Sequence, residues 1–217
     1  MNKKTKAMAY YETDMDEEKK WTFMSFIYEM GQSILTWIPP LPLYLPRTLP
    51  YLSEVKLPDG KCIYISDAPS ASDPQLLEQH NITGMITIRT SYAILSPIYK
   101  RIDQFDNLEK LYIHMDDLPS SNLWDYFEII TKFFNRCLEE NRNVLIHCTA
   151  GRSRSVSFLI AYIMIMYKMS FDDAFHLVKE HRPEVRINSG FIHQLQTLDR
   201  LLQRIKCIHS ENIPLIE

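Results

Sequence analysis

The sequence predicts an α/β fold in which helices cover both sides of a central, mostly parallel sheet. Three observations carry that expectation. Strand-like and helix-like stretches alternate over residues 59–206. Val144-Leu145-Ile146 has no polar side chain, as in short strands buried on both faces of a parallel sheet. Residues 156–167, VSFLIAYIMIMY, are apolar nearly all round, as in a helix enclosed by the rest of the protein. At 217 residues, 46% of them hydrophobic and 24% charged, the chain is long enough for one sizeable core and short for two.

Residues 1–20 are polar and charged, which predicts a disordered tail. No apolar core follows their basic residues, so they resemble neither a signal nor a transit peptide. Residues 21–58 read as an N-terminal helix and a Pro-rich covering segment. From Trp21 to Trp37, apolar residues at 23, 24, 27, 30, 34 and 35 recur at helical spacing. The stretch is too short and too polar to span a membrane, and an amphipathic helix packed on the domain is expected. Residues 38–58 are crowded with prolines, which argues against regular structure. An SH3-type ligand is one reading of them. The prolines and Arg47 are not in a clean PxxPxR register, which favours the other, a stiff cover whose leucines lie on the core.

The main domain is expected over 59–206. Pro58-Asp59-Gly60-Lys61 signals a turn and Cys62–Ile65 a strand. Asp73-Pro74 supplies an N-cap and a first-turn proline for a helix through Gln79. Strands follow at Met85–Ile88 and Leu111–Met115. Ser121-Asn122 can cap a helix over Leu123–Glu139, and the strand Val144–Ile146 leads through a loop into the buried helix. Ser170-x-x-Asp173 is a capping-box start for a helix to about His181. The last helix, Asn188 to about Ile205, carries apolar residues at 191, 192, 195, 198, 201 and 202. Residues 207–217 read as a C-terminal tail.

The formal charge of -3 shows no basic excess, so nucleic acid is not an expected partner. Cys62, Cys137, Cys148 and Cys207 lie far apart, without the CxxC pair of a zinc site or the density of a disulfide scaffold. A reducing, intracellular location, cytoplasmic or nuclear, is expected, with no metal or cofactor. Arg154 and Lys168 bracket 13 residues, fewer than the roughly 20 apolar residues of a transmembrane helix, so no membrane span is expected.

The chemistry concentrates in His147-Cys148-Thr149-Ala150-Gly151-Arg152-Ser153-Arg154-Ser155. A buried strand that ends in a loop of small residues and opens a helix turns successive N–H groups, from Thr149 to Ser153, toward one point at the helix's positive end. Such a nest binds a phosphate-like dianion. Cys148 begins the loop, where the same donors favour thiolate over thiol. Arg154 lies where the loop curls back, and its guanidinium can grip two phosphate oxygens. Gly151 permits the backbone angles of the nest. Ser155 is placed to hydrogen-bond the sulfur and ease its departure, and His147 to orient the loop rather than act as a base. The alternative for Cys148 is an inert buried thiol. Five residue types at fixed positions weigh against it.

His-Cys-x5-Arg-Ser resembles the signature loop of the protein tyrosine phosphatase superfamily. The likeness extends over about residues 60 to 200. IYISDAPSASDPQLLEQHNITGMITI resembles the opening strand, helix and strand of the dual-specificity branch, and RPEVRINSGFIHQL its later "Arg-Pro…Asn-x-Gly-Phe…Gln-Leu" segment. The resemblance implies a phosphocysteine intermediate on Cys148 and a general acid, an Asp on a mobile loop before the helix that precedes the nucleophile strand. The family's spacing, six residues back from Leu123, gives Asp117, with Asp116 the neighbour to be told from it. LIAYIM, DAF and NSGFIHQLQ resemble the serine/threonine/tyrosine-interacting subgroup, which carries Gly at the nucleophile position. Cys148 stands there in this chain, so inactivity does not carry over.

Three functions remain open on these residues. The first is a dual-specificity phosphatase acting on phosphorylated proteins. Its pocket would be shallow, because no separate phosphotyrosine-recognition segment is present. The second is a phosphatase for anionic phospholipid headgroups, suggested by Arg152 in a run, Ala-Gly-Arg-Ser-Arg-Ser, similar to that of the mitochondrial phosphatidylglycerophosphate phosphatase. Arg152 equally suits a solvated side chain. The third is a phosphoprotein-binding module. Cys62 and Cys137 are each candidate oxidation partners for Cys148, with buried structural thiols as the alternative.

Overall fold

The computed structural model describes residues 52–211, so the expected tail, the helix over 21–37 and most of the Pro-rich segment lie outside the described residues. Five strands form one sheet: β1 (Leu52–Lys56), β2 (Cys62–Ser66), β3 (Ile82–Arg89), β4 (Glu109–His114) and β5 (Asn143–His147). Their spatial order is β1-β2-β5-β3-β4. β1 and β2 pair antiparallel, and every other pair is parallel. The sheet is therefore mostly parallel, with β5 at its centre.

The helices are α1 (Ala68–Ala71), α2 (Pro74–Gln79), α3 (Pro97–Asp103), α4 (Trp124–Glu139), α5 (Arg154–Met166), α6 (Phe171–His181) and α7 (Ser189–Glu211). Strand alternation divides the core between the two faces of the sheet. Ile63, Ile65, Ile86, Ile88, Val144 and Ile146 face one side, where they meet Phe134, Phe158, Val178 and Phe191 from α4 to α7. Tyr64, Met85 and Leu145 face the other, against Ala71, Leu77 and Ile102 from α1 to α3. β5 thus needs apolar residues at every interior position, which explains its unbroken Val-Leu-Ile run. α5 is buried from Arg154 to Met164, in keeping with its lack of a polar face.

Local chemistry sets the element ends. Asp73 Oδ1 accepts from Gln75 N and Leu76 N at the start of α2. Ser170 Oγ accepts from Asp173 N and donates to the Asp173 carboxylate, closing the box that begins α6. The start of α4 is satisfied less locally than expected. Asn122 Oδ1 accepts from Trp124 N, but Leu123 N donates to Gln194 Oε1, 71 residues away in sequence.

One expectation for the covering segment is corrected. Residues 52–56 form a regular strand, because no proline falls between Pro50 and Pro58 and every N–H there is free to pair. Leu52 and Leu57 are buried, as expected of leucines lying on the core. At the other end α7 runs on to Glu211, through the first residues of the segment read as a tail. Among the described residues no helix is long and apolar enough to cross a membrane.

The topology determines where a ligand can approach. β2 leaves toward α1 on one face, while β5 leaves into α5 on the other, so a crevice opens at the C-terminal end of β5, the switch point where open α/β sheets bind ligands.

Candidate active site

Residues 148–153 turn from β5 into α5 at that crevice. Gly151 takes φ +62°, and a Cβ there would collide with the Ser66 carbonyl oxygen and crowd the Arg182 guanidinium. Only glycine fits. The turn folds the loop over its own cysteine: Gly151 N–H donates to Cys148 Sγ at 3.2 Å, and Ser155 Oγ–H donates to it at 3.3 Å. Burial alone would push the Cys148 thiol up. The Arg154 guanidinium, the hydroxyl and N–H of Ser155 and the Gly151 N–H outweigh it and hold the thiol below its ordinary value.

Arg154, the first residue of α5, is buried beside the sulfur. Its Nη1 donates to Met115 O and its Nη2 to Thr149 Oγ1, both at 3.0 Å. Its Nε has no hydrogen-bond acceptor and lies 3.8 Å from Asp117 Oδ2. Asp117 Oδ1 accepts from Ser153 Oγ at 2.7 Å and Asn188 Nδ2 at 2.6 Å. Asp116 points to solvent and makes no hydrogen bond or ion pair with the described residues. Of the two adjacent carboxylates, Asp117 alone is tied to the loop that follows Cys148.

His147 is buried behind the loop. Its Nε2 meets Thr87 Oγ1 at 2.9 Å and its Nδ1 meets the Cys148 carbonyl at 3.4 Å. A carbonyl only accepts, so Nδ1 carries the proton and Nε2 accepts from the threonine. Burial, opposed by the carbonyl bond and reinforced by Arg89 and Arg154, lowers the imidazole to about 4. A neutral ring so enclosed orients the loop backbone. Thr149 and Ala150 are exposed at the crevice, Ser153 is buried, and the Arg152 side chain is exposed and makes no hydrogen bond or ion pair with the described residues.

A thiol held toward its anion beneath backbone donors, with an arginine and a carboxylate beside it, suits attack on a phosphate ester. The family model of the dual specificity phosphatase catalytic domain matches residues 63–200. The chain belongs to the dual specificity phosphatase family. It is 30% identical over 141 residues to dual specificity protein phosphatase 1 of Arabidopsis thaliana, covering 65% of this chain and 67% of that one. It is 34% identical over 128 residues to the human serine/threonine/tyrosine-interacting protein, covering 58% of this chain and 55% of that one. The crystal structure of that human tyrosine phosphatase-like protein superposes with a TM-score of 0.60 at 31% identity, over 69% of this chain and 96% of that one. PTPMT1 in complex with PI(5)P has a TM-score of 0.56 at 17% identity, over 72% of this chain and 99% of that one, a likeness of fold alone. The chain spans 40% of the mouse dual specificity protein phosphatase 12, which it also resembles.

This phosphatase domain uses several residues around the loop that sequence reasoning did not single out. Arg182 is buried beneath it, its Nε donating to Gly151 O and its Nη1 to Ser53 Oγ at 3.1 Å. Arg186 N donates to Arg152 O at 3.0 Å, and Ala68 N to Thr149 O at 3.2 Å. Tyr99 OH lies 3.3 Å from Thr149 Oγ1, and the buried Arg89 lies over the rings of Tyr99 and Tyr112. Arg182 and Asn188 both fall in the Arg-Pro…Asn segment of the family, which was their signal in the sequence.

The two candidate oxidation partners are corrected. Cys62 is the first residue of β2, at the end of the sheet away from the loop. Cys137 Sγ lies against Gly84, which pairs with Val144. Val144 precedes Cys148 by four strand residues, about 13 Å at the usual rise. A disulfide needs Cα atoms within roughly 7 Å, so neither thiol is an intramolecular partner for Cys148 in this fold.

Proposed function

We propose that the protein hydrolyses phosphotyrosine and phosphoserine or phosphothreonine esters through a phosphocysteine on Cys148. The observation that carries this reading is the Cys148 sulfur held under Gly151 N–H and Ser155 Oγ–H with the Arg154 guanidinium beside it, surroundings that lower the thiol's pKa. The thiolate attacks phosphorus and an S–P bond forms as the ester P–O bond breaks. Arg154 Nε, which lacks an acceptor, takes a phosphate oxygen. Asp117 gives its proton to the leaving oxygen and, as a carboxylate, then takes one from the water that cleaves the S–P bond. Inorganic phosphate leaves and Cys148 returns to thiolate, eased by the Ser155 hydroxyl. A nucleophile of this kind works only where thiols stay reduced, and we place the protein inside the cell on that ground.

A second reading, turnover of an anionic phospholipid headgroup, rests on the exposed, unpaired Arg152 beside the loop. The binding-module reading has less support, since a binder needs neither a depressed thiol nor an acid beside it. The deciding experiment is phosphate release from matched phosphotyrosine, phosphothreonine and phosphoinositide panels, with acid quenching to trap phosphate on the protein. Metal-independent release from the peptides and a label on Cys148 are expected. Activity that persists in Cys148→Ser, or disappears with a chelator, rules out the thiolate mechanism. A larger loss on phosphoinositide than on phosphopeptide in Arg152→Ala moves the substrate to lipid.

A further inference from the structure

We propose that Asn188 is a positioning residue for the proton transfer, holding one oxygen of Asp117 so that the other delivers the proton; this rests on the reading of Asp117 as the general acid. Asp117 Oδ1 accepts from both Asn188 Nδ2 and Ser153 Oγ. A carboxyl oxygen has two in-plane lone pairs, and two donors occupy them. The exchangeable proton therefore belongs on Oδ2, the oxygen that faces Arg154 Nε and hence the phosphate site. Without Asn188 only Ser153 Oγ holds Oδ1, one of its lone pairs is open, and the proton would be presented on either oxygen.

Asn188 is itself fixed. Its Oδ1 accepts from Phe191 N at 3.0 Å as the cap of α7, which commits Nδ2 to donate toward Asp117. Its backbone N–H donates to Ser153 Oγ at 3.3 Å, so cap, serine and acid form one closed set. The same helix end holds the rest of the acid loop. A Cβ on Gly190 would collide with the Pro119 backbone, Gln194 Nε2 donates to Ser121 O at 2.8 Å, and Gln194 Oε1 accepts from Leu123 N at 2.9 Å. Asp117 is held to the cap of α7 across 71 residues of sequence.

A capping role alone would explain part of this geometry, so the test must separate the two. Asn188→Ser keeps a good N-cap but is too short to cap and reach Asp117 together. Turnover of phosphotyrosine and phosphothreonine peptides should fall roughly ten- to hundredfold, as for a misplaced reacting group. Rates on a series of aryl phosphates should become more dependent on leaving-group pKa, while the thermal midpoint stays near wild type. The same substitution in an Asp117→Asn background should add little, because Asn188 acts through Asp117. Equal losses in both backgrounds, or equal losses across all leaving groups, would reduce Asn188 to a cap and overturn the proposal while the Asp117 assignment survives on its own slope. If Asp117→Asn alone leaves the leaving-group dependence flat, the acid assignment fails and the proposal fails with it. Should Asn188→Ser not fold, Asn188→Asp preserves the cap and replaces the donor with an acceptor; it must then show the same leaving-group signature, and its absence overturns the proposal.

Discussion

The two ends of one sheet hold cysteines whose acidities are shifted in opposite directions. At the C-terminal end of β5, Cys148 accepts from Gly151 N–H and Ser155 Oγ–H, and its thiol is held down despite full burial. At the other end Cys62 is itself the donor, to Glu54 Oε1 at 3.2 Å, and burial together with that carboxylate pushes it up to about 11. Cys137, buried beside Gly84, is also raised, chiefly by burial. Cys148 and Cys137 are buried and Cys62 is half-buried, and desolvation pushes all three upward. What differs is the direction of the polar groups: the loop after a parallel strand turns N–H groups and a helix start inward, whereas the antiparallel edge pair brings a carboxylate across from Glu54 to its neighbours on β2.

The bluntest way to break this comparison is to exchange sulfur for oxygen at each end. Cys148→Ser should reduce phosphopeptide turnover to the buffer blank, while Cys62→Ser should stay within about twofold of wild type, as expected of a half-buried position at the far end of the sheet. Comparable losses at both ends in steady-state assays would show that the thiol's surroundings do not decide its role. The next largest effect should come from Arg154→Lys. It keeps the charge near Cys148 but loses the guanidinium bonds to Met115 O and Thr149 Oγ1, and kcat should fall by about 10²- to 10³-fold, the usual cost of one transition-state donor. Full activity in the lysine variant would mean that charge alone suffices.

The smallest effects sharpen the comparison most, because they move the two thiols in opposite directions. On the proposed mechanism Cys148 reacts as thiolate, and its depressed folded-state pKa carries that reactivity to lower pH than an ordinary thiol's, to be lost as pH falls through the depressed value. Removing the hydroxyl in Ser155→Ala takes away a donor to the anion. The acidic limb of kcat/KM, and the pH midpoint of iodoacetamide labelling at Cys148, should both move to higher pH. Glu54→Gln removes an anion beside Cys62, and the labelling midpoint of Cys62 should move down from about 11. Mass-spectrometric readout separates the sites. A shift of the same sign in both variants would contradict the picture of opposed polar surroundings.

The catalytic end was far more legible in the sequence than the groups that support it. Cys148, Gly151, Arg154 and Ser155 lie within one turn and a strand end, so their geometry follows from local backbone rules, as does the apolar run of β5. The place of Asp117 beside the loop was reachable through family spacing, and the caps Ser170 and Asp73 through capping chemistry. Arg182 and Asn188 act through bonds to Gly151 and Asp117, which are 31 and 71 residues away, and no local pattern encodes such contacts. α1 escaped because four residues carry no helical period, and its cap, Asp67 accepting from Ser70 N, resembles any loop aspartate. α3 begins at Pro97 without a side-chain cap, leaving only a weak start signal. β1 was masked by the prolines around it.

Arg182 reaches three parts of the chain at once: Gly151 O in the catalytic loop, Ser53 Oγ on the edge strand and Ile65 O on β2, the first of these strands 129 residues earlier in sequence. Such contacts are among the last a growing polypeptide can make, since the distant partner must first be synthesised and the intervening chain closed into a loop. A nascent chain that has emerged only through Met166 holds every residue of the signature loop and the whole helix behind it. It still lacks the guanidinium that braces Gly151 and the amide that holds Asp117. On the ribosome, the thiol is therefore present before the bonds that brace Gly151 and Asp117, which form only once the C-terminal helices pack back onto β1, the first strand of the sheet.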